Sequence, residues 1–195
     1  MAKTWKDSDI NLDPIKDQTI GIIGYGIQGD AQANNLKDSG LKVIVGLKEG
    51  GSSWNKAKND GHEVMSVSEA CKKADIIHVL IPDMVQSKVY KDEIEPNLSE
   101  GKALAFSHAA AIYWGWIKAP DNVDVIMVAP KGPGSKVRET YLDGFGTPSI
   151  VAVEQDKTGT AWDRTLGIAK GIGSARAGLI KTTFKEEVET DWFGE

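Results

Sequence analysis

The sequence predicts an α/β fold: a doubly wound, mostly parallel sheet with helices on both faces. Short runs rich in isoleucine and valine alternate with segments of helical spacing, a rhythm typical of βαβ units. A glycine-rich turn follows the first long run and opens the first helical segment, as expected where a strand leads into a helix. The chain has 195 residues, which is long enough for one sizeable domain and short for two.

The predicted elements are separated by glycine, proline and polar residues. Continuous apolar runs between such breaks are typical of strands buried on both faces. Gly40 ends the first helix, and Pro82 stops one of the strands. Predicted strands cover residues 19–24, 41–46, 64–65, 75–81, 103–107, 123–128, 150–153 and 179–180. Predicted helices cover residues 30–39, 54–59, 68–73, 84–94 and 158–170, and a last one occupies the tail, 183–195.

Composition narrows the classes of function. Apolar residues make up 41% and charged residues 26%, which is ordinary for a globular protein. The net charge of -5 argues against a nucleic-acid partner, which would favour a basic face. No stretch reaches the roughly 18 apolar residues of a membrane span, so no membrane partner is expected. Cys71 is the single cysteine, and residues 1–13 lack an apolar secretory core, so we expect a cytoplasmic location.

A glycine motif follows the first long predicted strand and has the pattern G-x-G-x-x-G. Within a βαβ unit this pattern indicates a Rossmann-type dinucleotide site, where the first glycine makes the turn and the second lets a pyrophosphate approach. The third lets the helix pack on the strand, and the helix N-terminus attracts the phosphates. The alternative is a glycine-rich turn with no ligand. The predicted cofactor-binding residues here are Gly24, Tyr25, Gly26, Ile27, Gln28 and Gly29.

The loop after the second long strand bears on the choice of dinucleotide. An NAD site usually has an acidic residue at this point, which binds the ribose hydroxyls. Here the strand is followed by Lys48, with Ser52 and Ser53 in the same loop, and a cation with hydroxyls suits a 2′-phosphate. Glu49 is the one acid nearby and counts against this interpretation. The sequence therefore favours NADP(H) over NAD, with Lys48 as a solvated loop lysine the alternative.

Chemically useful side chains follow three other predicted strands. Ligands of a doubly wound sheet lie at the carboxyl ends of its strands. Pro82 and Asp83 end one strand and are expected to form a wall of the cofactor cleft. His108 and Lys131 end the next two, and such a pair suits acid–base work and oxyanion stabilisation. The alternative for His108 is a hydrogen-bonded structural histidine.

The other two histidines are not at strand ends and give no indication of a catalytic role. His78 lies in the middle of a predicted strand, which indicates a core position, and His62 is expected at the surface.

The tail predicts an acidic helix with a possible metal site. Asp191 and Glu195 are four residues apart and share one helix face, where like charges destabilise the helix end. A divalent cation such as Mg²⁺ would compensate, since it prefers carboxylate oxygens. The alternative is a solvated acidic face, because the helix carries spare acids at Glu186, Glu187 and Glu189.

The same helix has an apolar stripe. Thr183 and Glu186 fit a capping box at its start. We expect the rest of this chain to leave the stripe largely uncovered, so that it would mark an interaction surface. The stripe consists of Phe184, Val188, Trp192 and Phe193.

Taken together, these motifs resemble ketol-acid reductoisomerase of the shorter-chain class, over residues 20–195. Two departures stand in the loops: residues 109–111 read Ala-Ala-Ala where the family often has Gly-Phe-Asn, and 48–51 read Lys-Glu-Gly-Gly where Arg-Glu-Gly-Ser is common. The resemblance rests on residues 24–29, 45–50 with 53–54, 80–83, 94–98, 105–108, 123–134, 182–187 and 191–195.

The resemblance implies a reaction. The family converts 2-hydroxy-3-keto acids such as acetolactate to 2,3-dihydroxy acids in branched-chain amino-acid biosynthesis, by a magnesium-assisted alkyl shift and reduction by NADPH. It implies a catalytic role for His108 with Lys131 beside it, and magnesium ligation by Asp191 and Glu195. It also places Lys48 and Ser53 at the 2′-phosphate. Gly134, which ends the 123–134 block, is a further predicted cofactor-binding residue.

The family also implies a second domain. Its members continue into an all-helical domain that completes the metal site and forms a homo-oligomer. We therefore expect residues 1–182 to be the NADP-binding domain and 183–195 the start of that helical domain, with the present chain a fragment that is inactive alone. Two other functions stay open: another Rossmann-type dehydrogenase of the β-hydroxyacid type, and a nucleotide-binding regulatory module without enzymatic activity.

Overall fold

The computed structural model describes residues 2–194 and the side chains of residues 2–191. The strands are β1 Thr4–Trp5, β2 Thr19–Ile23, β3 Lys42–Gly46, β4 Glu63–Met65, β5 Ile76–Val79, β6 Ala103–Phe106, β7 Asp124–Pro130, β8 Ser149–Gln155 and β9 Leu179–Lys181. The helices are α1 Ile27–Asp38, α2 Ser52–Asn59, α3 Val67–Lys73, α4 Asp83–Val89, α5 Ala110–Tyr113, α6 Gly134–Leu142, α7 Ala161–Gly171, α8 Ser174–Ala177 and α9 Phe184–Gly194. A π-helical turn, Tyr90–Ile94, continues α4.

All strands of the described chain join one sheet in the order β1-β9-β8-β7-β6-β5-β2-β3-β4. The six strands from β4 to β7 are parallel, β8 runs antiparallel to β7, and β1 runs antiparallel to β9. The chain winds outwards from β2 to β4 and then crosses to β5 on the other side of β2. This reversal beside β2 is the position at which doubly wound sheets bind ligands. The predicted fold class is therefore confirmed.

Both faces of the sheet are buried, which explains the continuous apolar runs. Neighbouring residues of one strand belong to different core clusters: Ile22 packs on one face and Ile23 on the other, and Ile76 and Ile77 divide in the same way. Side chains alternate across a strand, so a strand covered on both faces needs apolar residues at every position. No helix within the described residues combines the length and apolarity needed to cross a lipid bilayer.

The tail helix α9 is covered by the rest of the chain, contrary to expectation. Phe184 and Val188 are 2% and 1% exposed and belong to the same core cluster as Phe106. The helix turns back after β9 and packs against α5 and β8, which the sequence pattern could not show. The predicted capping box is present, since Thr183 and Glu186 exchange side-chain and backbone hydrogen bonds. The side chains of Trp192 and Phe193 lie outside the described part.

The positions of two histidines and one helix can also be compared with the sequence predictions. His78 is fully buried, as predicted. The surface position predicted for His62 is wrong, because its ring is 7% exposed and meets the Tyr25 ring edge-on, with centroids 5.6 Å apart. Helix α6 was not predicted. It starts at Gly134, directly after the block that ends β7.

Candidate dinucleotide and metal site

The three motif glycines occupy three different environments. Gly24 has φ +99°, in the left-handed region that favours glycine, and a Cβ there would lie 2.8 Å from the Leu80 carbonyl oxygen. A Cβ on Gly29 would lie 2.3 Å from the Gly24 carbonyl oxygen, so Gly29 allows α1 to pack on the turn. Gly26 has no other group within 4 Å of its Cβ position. The geometry thus gives backbone reasons for Gly24 and Gly29 and leaves open space at Gly26, whose phosphate-binding role stays a prediction.

The N-terminus of α1 faces this open space. Gly26 is the N-cap, and its carbonyl accepts from the Asp30 N–H at 2.9 Å, so the three preceding N–H groups have no partner within the helix. Such N–H groups and the positive helix pole favour an anion. The cleft above has a volume of about 540 Å³. It is lined by Gly24, Tyr25, Gly26, Ile27, Gln28, Leu47, Ser53, Leu80, Ile81 and Pro82.

Tyr25 contributes backbone to the cleft and uses its side chain elsewhere. The ring is 4% exposed, and its hydroxyl donates to Asp60 at 2.8 Å. Lys56 also contacts Asp60, at 3.5 Å, and lies over the Tyr25 ring. These contacts tie α2 to the glycine turn. They therefore hold the loop after β3 beside the cleft.

That loop forms a smaller adjoining cleft of about 160 Å³. Lys48 is exposed, and α2 begins at Ser52, so Ser52 and Ser53 occupy its first turn. A cation, two hydroxyls and a helix N-terminus lie together there, which suits a phosphate. Ser53 and Leu47 line both clefts, so the loop is continuous with the space above Gly26.

His108 and Lys131 meet the tail helix in a cavity of about 500 Å³ at the ends of β6 and β7. The Lys131 ammonium lies 3.6 Å from one carboxylate oxygen of Asp191, and His108 Nδ1 lies 3.7 Å from the other. The fold thereby brings together three predicted residues, His108, Lys131 and Asp191. They are separated in sequence by 23 and 60 positions. Asp83 joins them from α4, with an oxygen 3.9 Å from His108 Nε2.

Glu187 is the site residue that sequence reasoning missed. Its side chain is 2% exposed, one carboxylate oxygen accepts from the Ala109 N–H at 3.0 Å, and the other lies 3.1 Å from His108 Nδ1. The sequence pattern presents it as one of the spare acids of the helix. The signal was its spacing, because Glu187 precedes Asp191 by one helical turn and so shares its face.

This carboxylate affects the titration of His108. The hydrogen bond to Glu187 raises the pKa of His108 above its ordinary value of 6.5, and the charges of Asp83 and Asp191 add to the effect while burial opposes it. A raised folded-state pKa means that the protonated ring contributes stability below the unfolded pKa. That contribution is lost as the pH rises through the folded-state pKa.

We predict that Glu187→Gln lowers the pKa of His108, because a neutral amide replaces the main charged partner. NMR titration of the His108 ring in the 195-residue chain measures it. Glu189→Gln is the matched control: Glu189 is exposed on the same helix, 3.8 Å from Lys185, and its loss should leave the His108 titration unchanged. An unchanged pKa in Glu187→Gln would show that another group holds the proton.

The same cluster fits a divalent cation. Ligand atoms of His108, Glu187 and Asp191 lie within 4.8 Å of one another. Two carboxylates suit a hard cation such as Mg²⁺, which keeps several waters and needs few protein ligands. Glu195, the other predicted ligand, lies outside the described residues.

Gly134 has a packing reason of its own. A Cβ there would lie 2.2 Å from the Ile27 carbonyl oxygen, so the start of α6 abuts the start of α1. The close approach alone requires glycine at this position, and a cofactor-binding role for Gly134 stays a prediction.

The family of this chain follows from a comparison with known proteins. A family model described as acetohydroxy acid isomeroreductase, NADPH-binding domain, matches residues 14–178. The chain belongs to this family. Its members are also called ketol-acid reductoisomerases, so the resemblance seen in the motifs is confirmed.

Individual relatives agree. A ketol-acid reductoisomerase (NADP+) of Nitrosopumilus maritimus is 83% identical over all 195 residues, and one of Methanocaldococcus jannaschii is 60% identical. The chain spans 59% of the length of each. A solved NADH-preferring ketol-acid reductoisomerase from an uncultured archean is 45% identical with a TM-score of 0.96, over 99% of this chain and 60% of that one.

More distant structures share the fold alone. A 3-hydroxyisobutyrate dehydrogenase of Mycobacterium tuberculosis is 16% identical with a TM-score of 0.61, over 85% of this chain and 54% of that one. The β-hydroxyacid dehydrogenase alternative therefore has no support beyond the shared architecture.

Proposed function

We propose that this chain is the NADP(H)-binding part of a ketol-acid reductoisomerase that acts on acetolactate-type 2-hydroxy-3-keto acids. The observation that carries the proposal is the open space above Gly26, between the unpaired N–H groups of α1 and the end of β5. The pyrophosphate would lie against this turn. The cleft continues past Ile81 to His108, where a pocket of about 180 Å³ can receive the nicotinamide end beside the larger cavity.

The cavity residues have distinct proposed roles. Asp191 and Glu187, with Glu195, would hold Mg²⁺, which when bound polarises the substrate oxygens for the alkyl shift. His108, kept in place by Glu187, is positioned to exchange a proton with a substrate oxygen. Lys131 presents a cation to developing negative charge. NADPH, when bound, supplies the hydride.

We also propose how the rest of the protein is arranged. Residues 183–195 would begin the helical C-terminal domain, which would complete the metal site and form a homo-oligomer. The packing of α9 on α5 supports a firm junction at that point. A biosynthetic role and a buried, unpaired Cys71 favour the cytoplasm. No nucleic acid or membrane is part of the proposal.

The experiment uses the chain with NADPH, acetolactate and Mg²⁺. We expect calorimetry to detect NADPH binding, and a steady-state assay to detect no turnover by the chain alone. Fusion to the remaining part of the Nitrosopumilus maritimus relative should restore turnover, and Asp191→Ala in the fusion should abolish it. Binding without turnover by the fusion would favour the regulatory module. Turnover by the chain alone, unaffected by Asp191→Ala, would overturn the metal assignment and the division into two parts.

Cofactor preference rests on the loop after β3. Removing a charged phosphate contact costs about 1.5–3 kcal/mol, so we predict that Lys48→Ala weakens NADPH binding by roughly tenfold or more and barely changes NADH binding. Calorimetric titration of both cofactors measures the difference. Lys42→Ala is the matched control, because Lys42 is an exposed lysine at the opposite end of β3. Equal affinity of the unmutated chain for the two cofactors would overturn the predicted preference for NADP(H).

A further inference from the structure

Four polar side chains form a hydrogen-bonded series beneath the candidate site, here called the polar chain; Gln32 and His78 are fully buried, and Gln28 and Ser107 are partly buried. Gln28 donates to the Gly132 carbonyl at 3.0 Å, and Gln32 donates to the Gln28 side-chain oxygen at 3.0 Å. Gln32 also donates to the Ser107 hydroxyl at 3.0 Å, and His78 Nε2 lies 3.2 Å from the same hydroxyl. The polar chain therefore links the first turn of α1 to the strand ends that carry His108 and Lys131.

The direction of each hydrogen bond in the polar chain follows from the groups at the two ends of that series. Ser107 donates its single hydroxyl hydrogen to the Val128 carbonyl at 2.8 Å, so it must accept from both Gln32 and His78. Burial lowers the pKa of His78 to about 3, so the ring is neutral and its one N–H is on Nε2. Because Gln32 directs its amide hydrogens to Ser107 and Gln28, the Gln28 oxygen faces Gln32. The Gln28 amide nitrogen must then face Gly132.

This arrangement is costly as a packing device. Gln32 and His78 are both 0% exposed, and Gln32 Oε1 and His78 Nδ1 are buried without a described partner. Unsatisfied buried acceptors destabilise a fold, and an apolar side chain at either position would avoid that cost. What the polar chain does provide is one fixed orientation for the Gln28 carboxamide.

Gln28 occupies a position shared by three spaces. It lines the cleft above Gly26, the pocket between Ile81 and His108, and the cavity that contains Lys131. Its amide nitrogen has two hydrogens and one described acceptor, the Gly132 carbonyl. The second hydrogen is thus available at the junction of these spaces.

We propose that Gln32, held by Ser107 and His78, is a positioning residue that fixes the Gln28 amide to donate to an oxygen of the nicotinamide half of the dinucleotide. The inference rests on the proposed cofactor site. It goes further in dividing that site: the glycine turn and the Lys48 loop hold the adenosine half, whereas the polar chain holds the other half.

The test compares two ligands by calorimetry on the 195-residue chain. NADPH contains both halves, and adenosine 2′,5′-bisphosphate contains the phosphorylated adenosine half alone. A net hydrogen bond supports about a fivefold change in affinity, so Gln32→Met should weaken NADPH by roughly that factor and leave the bisphosphate unchanged. Gln28→Met should have the same effect. The double variant should be no weaker than Gln28→Met, because the two residues act through one contact.

A matched control separates positioning from packing. Asn35 is one turn further along α1, fully buried, and bonded to the carbonyls of Val137 and Ile172. Asn35→Leu should lower the melting temperature without changing the ratio of the two affinities. If Gln32→Met fails to fold, Ser107→Ala replaces it, since it removes the acceptor that orients Gln32, and the same selective loss is expected.

Each remaining outcome decides against the inference. Equal weakening of both ligands would assign Gln32 a purely structural role. Unchanged NADPH affinity in Gln28→Met would show that Gln28 does not contact the cofactor, and unchanged affinity in Gln32→Met alone would show that Gln32 does not position Gln28; both leave the proposed site intact. If the unmutated chain bound the bisphosphate but bound NADPH no more tightly, the division of the site would be wrong and the phosphate site would stand. Binding of neither ligand would overturn the cofactor site and the inference together.

Discussion

Gly26→Ala is expected to leave the chain folded and to remove most of its affinity for NADPH. The backbone of Gly26, with φ -78° and ψ -160°, is open to any residue, and no other group lies within 4 Å of the added methyl group. The methyl group would instead occupy the space proposed for the pyrophosphate. Inserting a methyl group into a packed contact costs about 1–3 kcal/mol, so the affinity should fall by roughly 5- to 150-fold.

The neighbouring glycine provides the control. In Gly29→Ala the added Cβ would lie 2.3 Å from the Gly24 carbonyl oxygen, so α1 must move away from the turn. This variant should lower the melting temperature, whereas Gly26→Ala should not. Thermal melts and calorimetry on both variants measure the two effects. Full NADPH affinity in a folded Gly26→Ala chain would show that no ligand approaches this turn.

The parts of the fold that could be predicted are those set by local pattern. The strands β2, β5, β6 and β7 are buried on both faces, so they are mostly apolar and each run stands out from the polar segments around it. The glycine motif was equally readable, because its spacing is specific and two of its glycines, Gly24 and Gly29, meet backbone requirements of the turn. The meeting of His108 with Lys131 followed from the rule that parallel strands end at one edge.

What could not be predicted depends on tertiary contact. Glu187 reads as a surface acid, and its role arises because α9 folds back over α5 and brings it against Ala109 and His108. His62 reads as a loop residue, yet α1 and Tyr25 cover it. Gln32 gives no sequence signal at all, since a glutamine in a polar helix is unremarkable until Ser107 is found beneath it. In each case the partner lies more than 25 positions away in the chain.

The largest stability effect is expected from Asp124, far from the proposed site. Asp124 begins β7, at the edge opposite Lys131, and its side chain is fully buried. It accepts from the N–H groups of Lys157 and Thr158 at 2.8 and 2.9 Å, from the Thr158 hydroxyl at 2.7 Å, and from the Arg164 guanidinium at 2.8 Å. Arg164 is 8% exposed, so the pair joins β7, the loop before α7 and α7 itself.

Asp124→Ala should therefore reduce the free energy of unfolding by about 3–5 kcal/mol, since removal of one partner leaves a buried cation and two backbone donors uncompensated. For a chain of this size each kcal/mol corresponds to roughly 2–4 °C, so the melting temperature should fall by about 6–20 °C.

Asp75→Ala is the control: Asp75 is exposed and accepts from the Thr19 N–H at 2.7 Å, and its loss should cost about 1 kcal/mol. Below the new transition, NADPH affinity should be unchanged, because the pair lies at the edge away from the cofactor cleft. A loss no larger than that of Asp75→Ala would mean that water or the Gly101 carbonyl, which Arg164 already contacts at 2.8 Å, compensates the cation.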